Sequence, residues 1–188
     1  MIENNQIVYE KYFLEGGENE ISGSFSVAKS IVALLIGFAI QEKYIKSVDE
    51  PIGTYISEWA AAPMGKITIK QLLTMSSGLD WNESYRNPLS TMGEGYYGRT
   101  LLKTALRQRL ARAPGTRYEY QSGSTELLGL VLARATQRTL SQYASEKLCI
   151  PLGAERDALW SLDAENGLEK AYCCINAKAR DFARIGQF

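Results

Sequence analysis

The sequence contains no histidine. Histidine is the usual general base, the commonest metal ligand and the side chain that titrates nearest neutral pH. Its absence excludes a Ser-His-Asp or Cys-His mechanism carried by this chain alone. Cysteine is scarce too: Cys149 and the adjacent Cys173 and Cys174 are the three present. They offer neither a zinc-binding spacing nor an even disulfide framework, and their apolar surroundings, "KLCIPL" and "AYCCIN", read as buried, reduced thiols. No metal and no organic cofactor is expected.

A charge excess of either sign is also missing, since 21 basic residues meet 21 acidic ones. Nothing in that balance points to nucleic acid or to an anionic membrane surface. The longest apolar run, Ile31 to Ile40, falls far short of the roughly 20 residues a membrane span needs. Met1 leads into the polar "IENNQ" rather than into a basic stretch followed by an apolar one, so no signal peptide is read. The expectation is a soluble, cytoplasmic chain, its 188 residues forming a single domain over 1–188.

What is present reads as a hairpin followed by helices. "QIVYEKYF" (6–13) is rich in aromatic and β-branched residues, and the glycines of "EGGENEISGSF" suggest a turn into a second extended segment, so residues 1–25 are expected to form a sheet hairpin. Over 26–43 the pattern turns helical, with Ile31, Leu34, Leu35 and Phe38 recurring at helical spacing. Residues 44–188 read as mostly helical. Thr68 can cap a short helix through Met75, and Gly78 can end that segment. Further helices are expected over 101–112, over 125–137, within "TLSQYASEKLCIPLG", and from about Asn176 onward. Few strands are expected outside the first 25 residues.

The chemistry is sought in "GSFSVAKSIVALLIGFAI". Ser26 and Lys29 are three residues apart, a spacing that puts both on one face of a helix. If Ser26 opens that helix, its N–H belongs to the unpaired first turn, where developing negative charge is stabilised. A lysine that faces packed structure loses hydration and is suited to take a proton. The bland alternative is a lysine that leaves the helix for solvent, and the four-residue pattern alone does not decide between them. A second stretch, "APGTRYEYQSGSTELLG", sets Tyr120 and Ser122 between a Pro-Gly turn and a helix, on a loop that could be aimed into a cleft. A tyrosine beside an ammonium can pass a proton to a leaving group.

Taken in order, "SFSVAKS", "ITIKQLLTMSSGLDW", "PGTRYEYQSGSTELLG" and "CCINAKARDFARIGQ" resemble the serine β-lactamase-like hydrolases. These include penicillin-binding enzymes, class C β-lactamases, serine esterases and 6-aminohexanoate-dimer hydrolases. The resemblance implies an α/β (α+β) β-lactamase-like fold, with Ser26 as the acylated nucleophile, Lys29 as its base and Tyr120 as proton shuttle. Tyr120-Gln121-Ser122 is Y-x-S where the β-lactamases carry Y-x-N. It is thus similar to the esterase and 6-aminohexanoate-dimer hydrolase branch, with Ser122 beside a small ester or amide substrate.

The third motif of that family, a Lys-Thr-Gly or His-x-Gly segment on a late strand, has no counterpart here. The resemblance therefore implies a chain truncated before it, with the C-terminal strands of the sheet missing. The alternative to an enzyme is a non-catalytic fragment that associates, through the incomplete sheet, with itself or with a complementary chain. "GEGYYG" (93–98) fits G-x-G-x-x-G, yet no strand precedes it. It reads instead as a flexible loop by the cleft, with Tyr96 and Tyr97 as substrate contacts. The basic stretch with Arg99, Lys103, Arg107, Arg109 and Arg112 reads as a solvated face, and Asp80 and Trp81 as scaffold.

Overall fold

A computed structural model describes residues 1–4, 6–13 and 16–187. Its centre is α1 (Val27–Gln41), which buries Ala28, Ile31, Val32, Leu35, Ile36 and Ala39. These positions recur every three or four residues, the spacing that gathers side chains on one face of a helix. Fully burying each of the larger ones contributes about 1.5–3 kcal/mol. The opposite face, Ser30, Ala33 and Gly37, is exposed. A Cβ added to Gly37 would meet nothing within 4 Å.

Helices α5 (Ser122–Thr136) and α2 (Ile69–Leu73) complete the core, α1 and α2 both packing on α5. Thr68 caps α2 in a reciprocal pair with Gln71: the Gln71 N–H donates to Thr68 Oγ1 at 3.2 Å, and the Thr68 N–H donates to Gln71 Oε1 at 2.9 Å. Helices α3 (Thr91–Tyr97) and α4 (Leu101–Leu106) cover one end, and α6 (Leu140–Ala144) follows α5. Thr139 repeats the reciprocal cap at the start of α6. Among the described residues no helix is long and apolar enough to cross a membrane.

The N-terminal region carries a short antiparallel pair, and its later extended segment turns to a different partner. β1 (Ile2–Glu3) pairs with β2 (Gln6–Ile7), whereas β3 (Ile21–Gly23) belongs to another sheet. There it pairs with β5 (Ile175–Lys178), which in turn pairs with β4 (Leu159–Trp160), both antiparallel. Asn176 to Lys178 are thus strand rather than the start of a helix, and the last helix, α7, runs over Ala179–Ile185. The strand is decided by a partner about 150 positions away: Ser24 N–H donates to Ile175 O at 2.7 Å, and Ile175 N–H donates back to Ser24 Oγ at 3.1 Å.

Three further expectations are corrected. The helix over 101–112 stops at Leu106, because Asp80 and Arg109 exchange backbone and carboxylate hydrogen bonds and Ala111 N–H donates to Gly78 O, which draws this stretch into an extended bridge. Gly78 has φ +74°, and a Cβ there would lie 2.5 Å from Arg112 O, so only glycine admits this close crossing. "GEGYYG" is the body of α3 rather than a loop, its start capped by Ser90 Oγ, which accepts from Gly93 N–H at 3.0 Å. Cys173 and Cys174 are joined as a vicinal disulfide, with Cys174 at φ +72°; Cys149 is a free, half-buried thiol pushed up by burial.

Candidate active site

Ser26 immediately precedes α1. In that position a serine hydroxyl ordinarily accepts a hydrogen bond from a first-turn N–H. Here it caps nothing. Its Oγ instead receives the Tyr120 hydroxyl at 2.7 Å and the Lys29 ammonium at 3.1 Å. The residue before it, Phe25, is held at φ +44° and is 74% exposed. A bulky residue in the left-handed region costs about 1–3 kcal/mol and persists only where its surroundings fix it. Ser24, buried and bonded to β5, supplies that fixing on one side, and α1 supplies it on the other.

Lys29 lies one helical turn on. Besides Ser26 it donates to Tyr172 O at 2.9 Å, and its Nζ stands over the Tyr120 and Tyr172 rings at 5.1 and 5.7 Å from their centroids. The Lys29 Nζ is therefore aimed by a carbonyl on a remote segment, with the Tyr120 and Tyr172 rings beside it. A cavity of about 180 Å³ opens beside it, lined by Lys29, Ser30 and Ala33 of α1, the end of α2, and Thr125 and Leu128 of α5. A larger cavity, about 720 Å³, lies on another side of α1 around Ile31, Leu148, Trp160 and Phe182 and contains none of Ser26, Lys29 or Tyr120.

Tyr120 comes from 94 residues away. It is placed by its neighbours on both sides: Glu119 N–H donates to Met75 O at 2.8 Å, and the Gln121 amide donates to Leu79 O at 2.9 Å while accepting from Ser77 Oγ at 3.1 Å. Ser122 is fully buried at the start of α5. Its N–H and its hydroxyl both donate to the Glu83 carboxylate, each at 2.7 Å, and the Tyr85 hydroxyl donates to the same group at 2.8 Å. Burial first, and this bond to Glu83 second, push the Tyr85 hydroxyl up to about 12.

The residues proposed from the sequence therefore divide. Ser26, Lys29 and Tyr120 meet at one oxygen. Ser122 lies next to them but its hydroxyl is taken up by Glu83. Tyr96 and Tyr97 are on α3 and pack edge to face at 5.0 Å; Lys170 donates to Tyr96 O at 2.6 Å, and Tyr97 is 78% exposed. Glu83, Gln121 and Tyr172 were missed. The acidic residue in "DWNESY" was open to notice as a candidate partner for the tyrosine loop, whereas a backbone carbonyl such as that of Tyr172 leaves no mark in a sequence. Among the described residues no cluster of His, Cys, Asp or Glu could hold a metal ion.

With fold and site in view, the class is plain: residues 1–172 match the Beta-lactamase family, and the chain belongs to it. Among its relatives, the 6-aminohexanoate-dimer hydrolase of Paenarthrobacter ureafaciens is 28% identical over 178 residues, covering 86% of this chain and 43% of that protein. The monacolin J acid methylbutanoyltransferase of Aspergillus terreus is 26% identical over 148 residues, covering 67% of this chain and 35% of its own length. A solved structure from Bacillus anthracis, provisionally assigned as a 6-aminohexanoate-dimer hydrolase, superposes with a TM-score of 0.88 at 29% identity, over 99% of this chain and 52% of its own. The chain thus spans about half the length, or less, of these relatives.

Proposed function

We propose that the chain carries the acylation site of a serine hydrolase acting on small esters or linear amides. The observation behind this reading is the convergence of Tyr120 and Lys29 on Ser26 Oγ. A hydroxyl that caps no helix and is held by two proton-transfer groups is arranged to lose its proton. Lys29 as the free amine takes the Ser26 proton as Oγ attacks the carbonyl carbon. The oxyanion so formed lies at the N-terminus of α1, where the Ser26 N–H and the helix dipole favour negative charge. Tyr120 gives its proton to the departing alcohol or amine and is reprotonated from the Lys29 side. Water then attacks the acyl-serine, losing its proton to the same pair, and Ser26 leaves as the hydroxyl.

The relatives' names fit one acyl-enzyme scheme with different acceptors, a hydrolase passing the acyl group to water and a methylbutanoyltransferase passing it elsewhere. Metal and organic cofactor have no role in this scheme. An oxyanion site normally uses two donors, and losing one costs about 10² to 10³ in rate. With only the Ser26 donor assigned, acylation and deacylation are both proposed to be slowed by that order.

The exposed face of α1 favours a second reading. Ser30, Ala33 and Gly37 lie open beside Ser26, a surface of small residues suited to close packing against another segment. On this reading the chain is not catalytic by itself but associates with a second copy or a complementary polypeptide. Both are tested by incubating the chain with a fluorophosphonate probe and a p-nitrophenyl ester beside Ser26→Ala, with molar mass measured by light scattering. Labelling and a p-nitrophenol burst that depend on Ser26 support the first reading. A monomeric chain that is not labelled removes the first reading and self-association, and leaves a complementary polypeptide as the occupant of the open face.

A further inference from the structure

Glu126 lies on α5, one turn beyond Ser122, and is only 3% exposed. Burying a carboxyl costs free energy unless its oxygens are used. Burial is the first cause that pushes it up to about 8. Asp163 and Glu169 push the same way, and the Ala171 hydrogen bond and Lys170 oppose them, so it carries its proton at neutral pH. It accepts a hydrogen bond from the Ala171 N–H at 2.9 Å.

Ala171 is followed directly by Tyr172, whose carbonyl receives Lys29. Three residues along α5, Gly129 faces the same segment: a Cβ there would come within 2.6 Å of Ala171 Cβ. Positions three apart share a helix face, so α5 offers this segment one acceptor and one gap. The flanks are held separately. The Trp160 indole N–H reaches Lys170 O and Cys173 O at 3.0 and 3.1 Å, and Ile175 N–H reaches Ser24 Oγ at 3.1 Å. Between those clamps, Glu126 accepts from the Ala171 N–H and Lys29 donates to the Tyr172 carbonyl, so this buried backbone is tied to α5 on one side and to α1 on the other.

We propose that Glu126 is a positioning residue for Lys29: by holding the Ala171 N–H it sets the Tyr172 carbonyl that aims the Lys29 ammonium at Ser26. It touches neither substrate nor the reacting oxygen. The inference rests on the Ser26–Lys29 reading for its consequence in rate, but not for its geometry.

The test therefore has two readouts: the fluorophosphonate labelling rate of Ser26 per folded molecule, and the Lys29 Cε–Hε cross-peak in a ¹³C-lysine NMR spectrum, assigned with Lys29→Arg. Glu126→Ala is expected to slow labelling about 10-fold, the size of one lost positioning hydrogen bond, and to move the Lys29 peak toward those of exposed lysines. Glu126→Gln keeps an acceptor oxygen for Ala171 and is expected to restore most of both, a rescue that a merely structural role does not predict. Gly129→Ala, which displaces Ala171 with Glu126 intact, is expected to move the same peak and serves if Glu126→Ala does not fold. A Lys29 peak that stays in place in the folded variants overturns the proposal, as does wild-type labelling in Glu126→Ala. If the unaltered chain is not labelled at all, a peak that moves in Glu126→Ala and returns in Glu126→Gln keeps the positioning role and sinks the acyl-enzyme reading instead.

Discussion

Two carboxyl groups stand behind the two side chains that meet Ser26, and they differ in kind. Glu126 is enclosed, pushed up by burial, and holds the segment whose carbonyl receives Lys29. Glu83 is half-buried and collects three donors, from Ser122 N, Ser122 Oγ and Tyr85, at the loop that presents Tyr120. The lysine side is local at the helix and held from the core; the tyrosine side is long-range and held from the surface rim, where Glu83 is half-buried. Burial disfavours the charged form of a carboxyl enclosed in the core, whereas a carboxyl near the surface keeps part of its hydration.

The comparison breaks most visibly at the lysine. Lys29→Ala removes the proposed base, and loss of a positioned general base costs about 10² to 10⁴ in rate. The expected outcome is about a 10³-fold fall in fluorophosphonate labelling, with the fold intact by circular dichroism, because Lys29 is only partly buried. Tyr120→Phe keeps the ring beside Lys29 and removes the hydroxyl. About a 10²-fold fall is expected, larger for ester substrates with poor leaving groups than for p-nitrophenyl esters, which need little protonation. Equal losses with both leaving groups would remove the shuttle role.

The buried carboxyl predicts a dependence of stability on pH. Glu126 is raised in the folded chain to about 8 from the ordinary carboxyl value of about 4.5, so the folded chain binds a proton that the unfolded chain releases across that window. Its contribution is greatest below about pH 4.5 and is lost as pH rises toward 8. Glu126→Gln has no proton to lose. The wild type is therefore expected to lose about 1–3 kcal/mol relative to this variant between pH 5 and 8.5, the full shift being reduced by local relaxation. Urea titrations at four pH values measure it, and parallel curves for the two proteins would place the carboxylate in water.

How far these features were legible follows from the distances along the chain. The Ser26–Lys29 pair is three residues apart, and helical periodicity alone puts it on one face. Tyr120 was legible through the resemblance, since no local pattern says that a tyrosine 94 positions on will meet Ser26. The strand at Ile175–Lys178 was read as helix because Ala179, Phe182, Ala183 and Ile185 carry a helical pattern into it, while its partner, Ile21–Gly23, lies at the other end of the chain. The "GEGYYG" stretch reads as a loop because no strand precedes its G-x-G-x-x-G pattern, yet Gly93 and Gly95 are buried in α3, where a Cβ on Gly93 would strike Pro88 O at 2.6 Å. Packing, not flexibility, asks for glycine there. The sequence raised the ester or amide preference and association through an incomplete sheet, whereas the open face of α1 at Ser30, Ala33 and Gly37 is seen in the fold.

The smallest expected effect is the sharpest test of the rim-side brace. In Glu83→Gln one carboxylate oxygen becomes an amide nitrogen, which cannot accept from Ser122 or Tyr85, so at least one of the three donors loses its partner. Ser122 is two residues from Tyr120, and Gln121 between them is pinned independently by Leu79 and Ser77. The loop should therefore shift rather than melt. A loss of about 10-fold in labelling is expected, in line with one charge-assisted hydrogen bond. Magnitude alone does not separate a brace from a substrate contact, but coupling does. If Glu83 acts through Tyr120, then in a Tyr120→Phe background the Glu83→Gln change should cost less than twofold more, because there is no hydroxyl left to aim. If the two losses multiply in full, Glu83 acts on the reaction by another route, and the contrast between a core-held lysine and a rim-held tyrosine loses its rim.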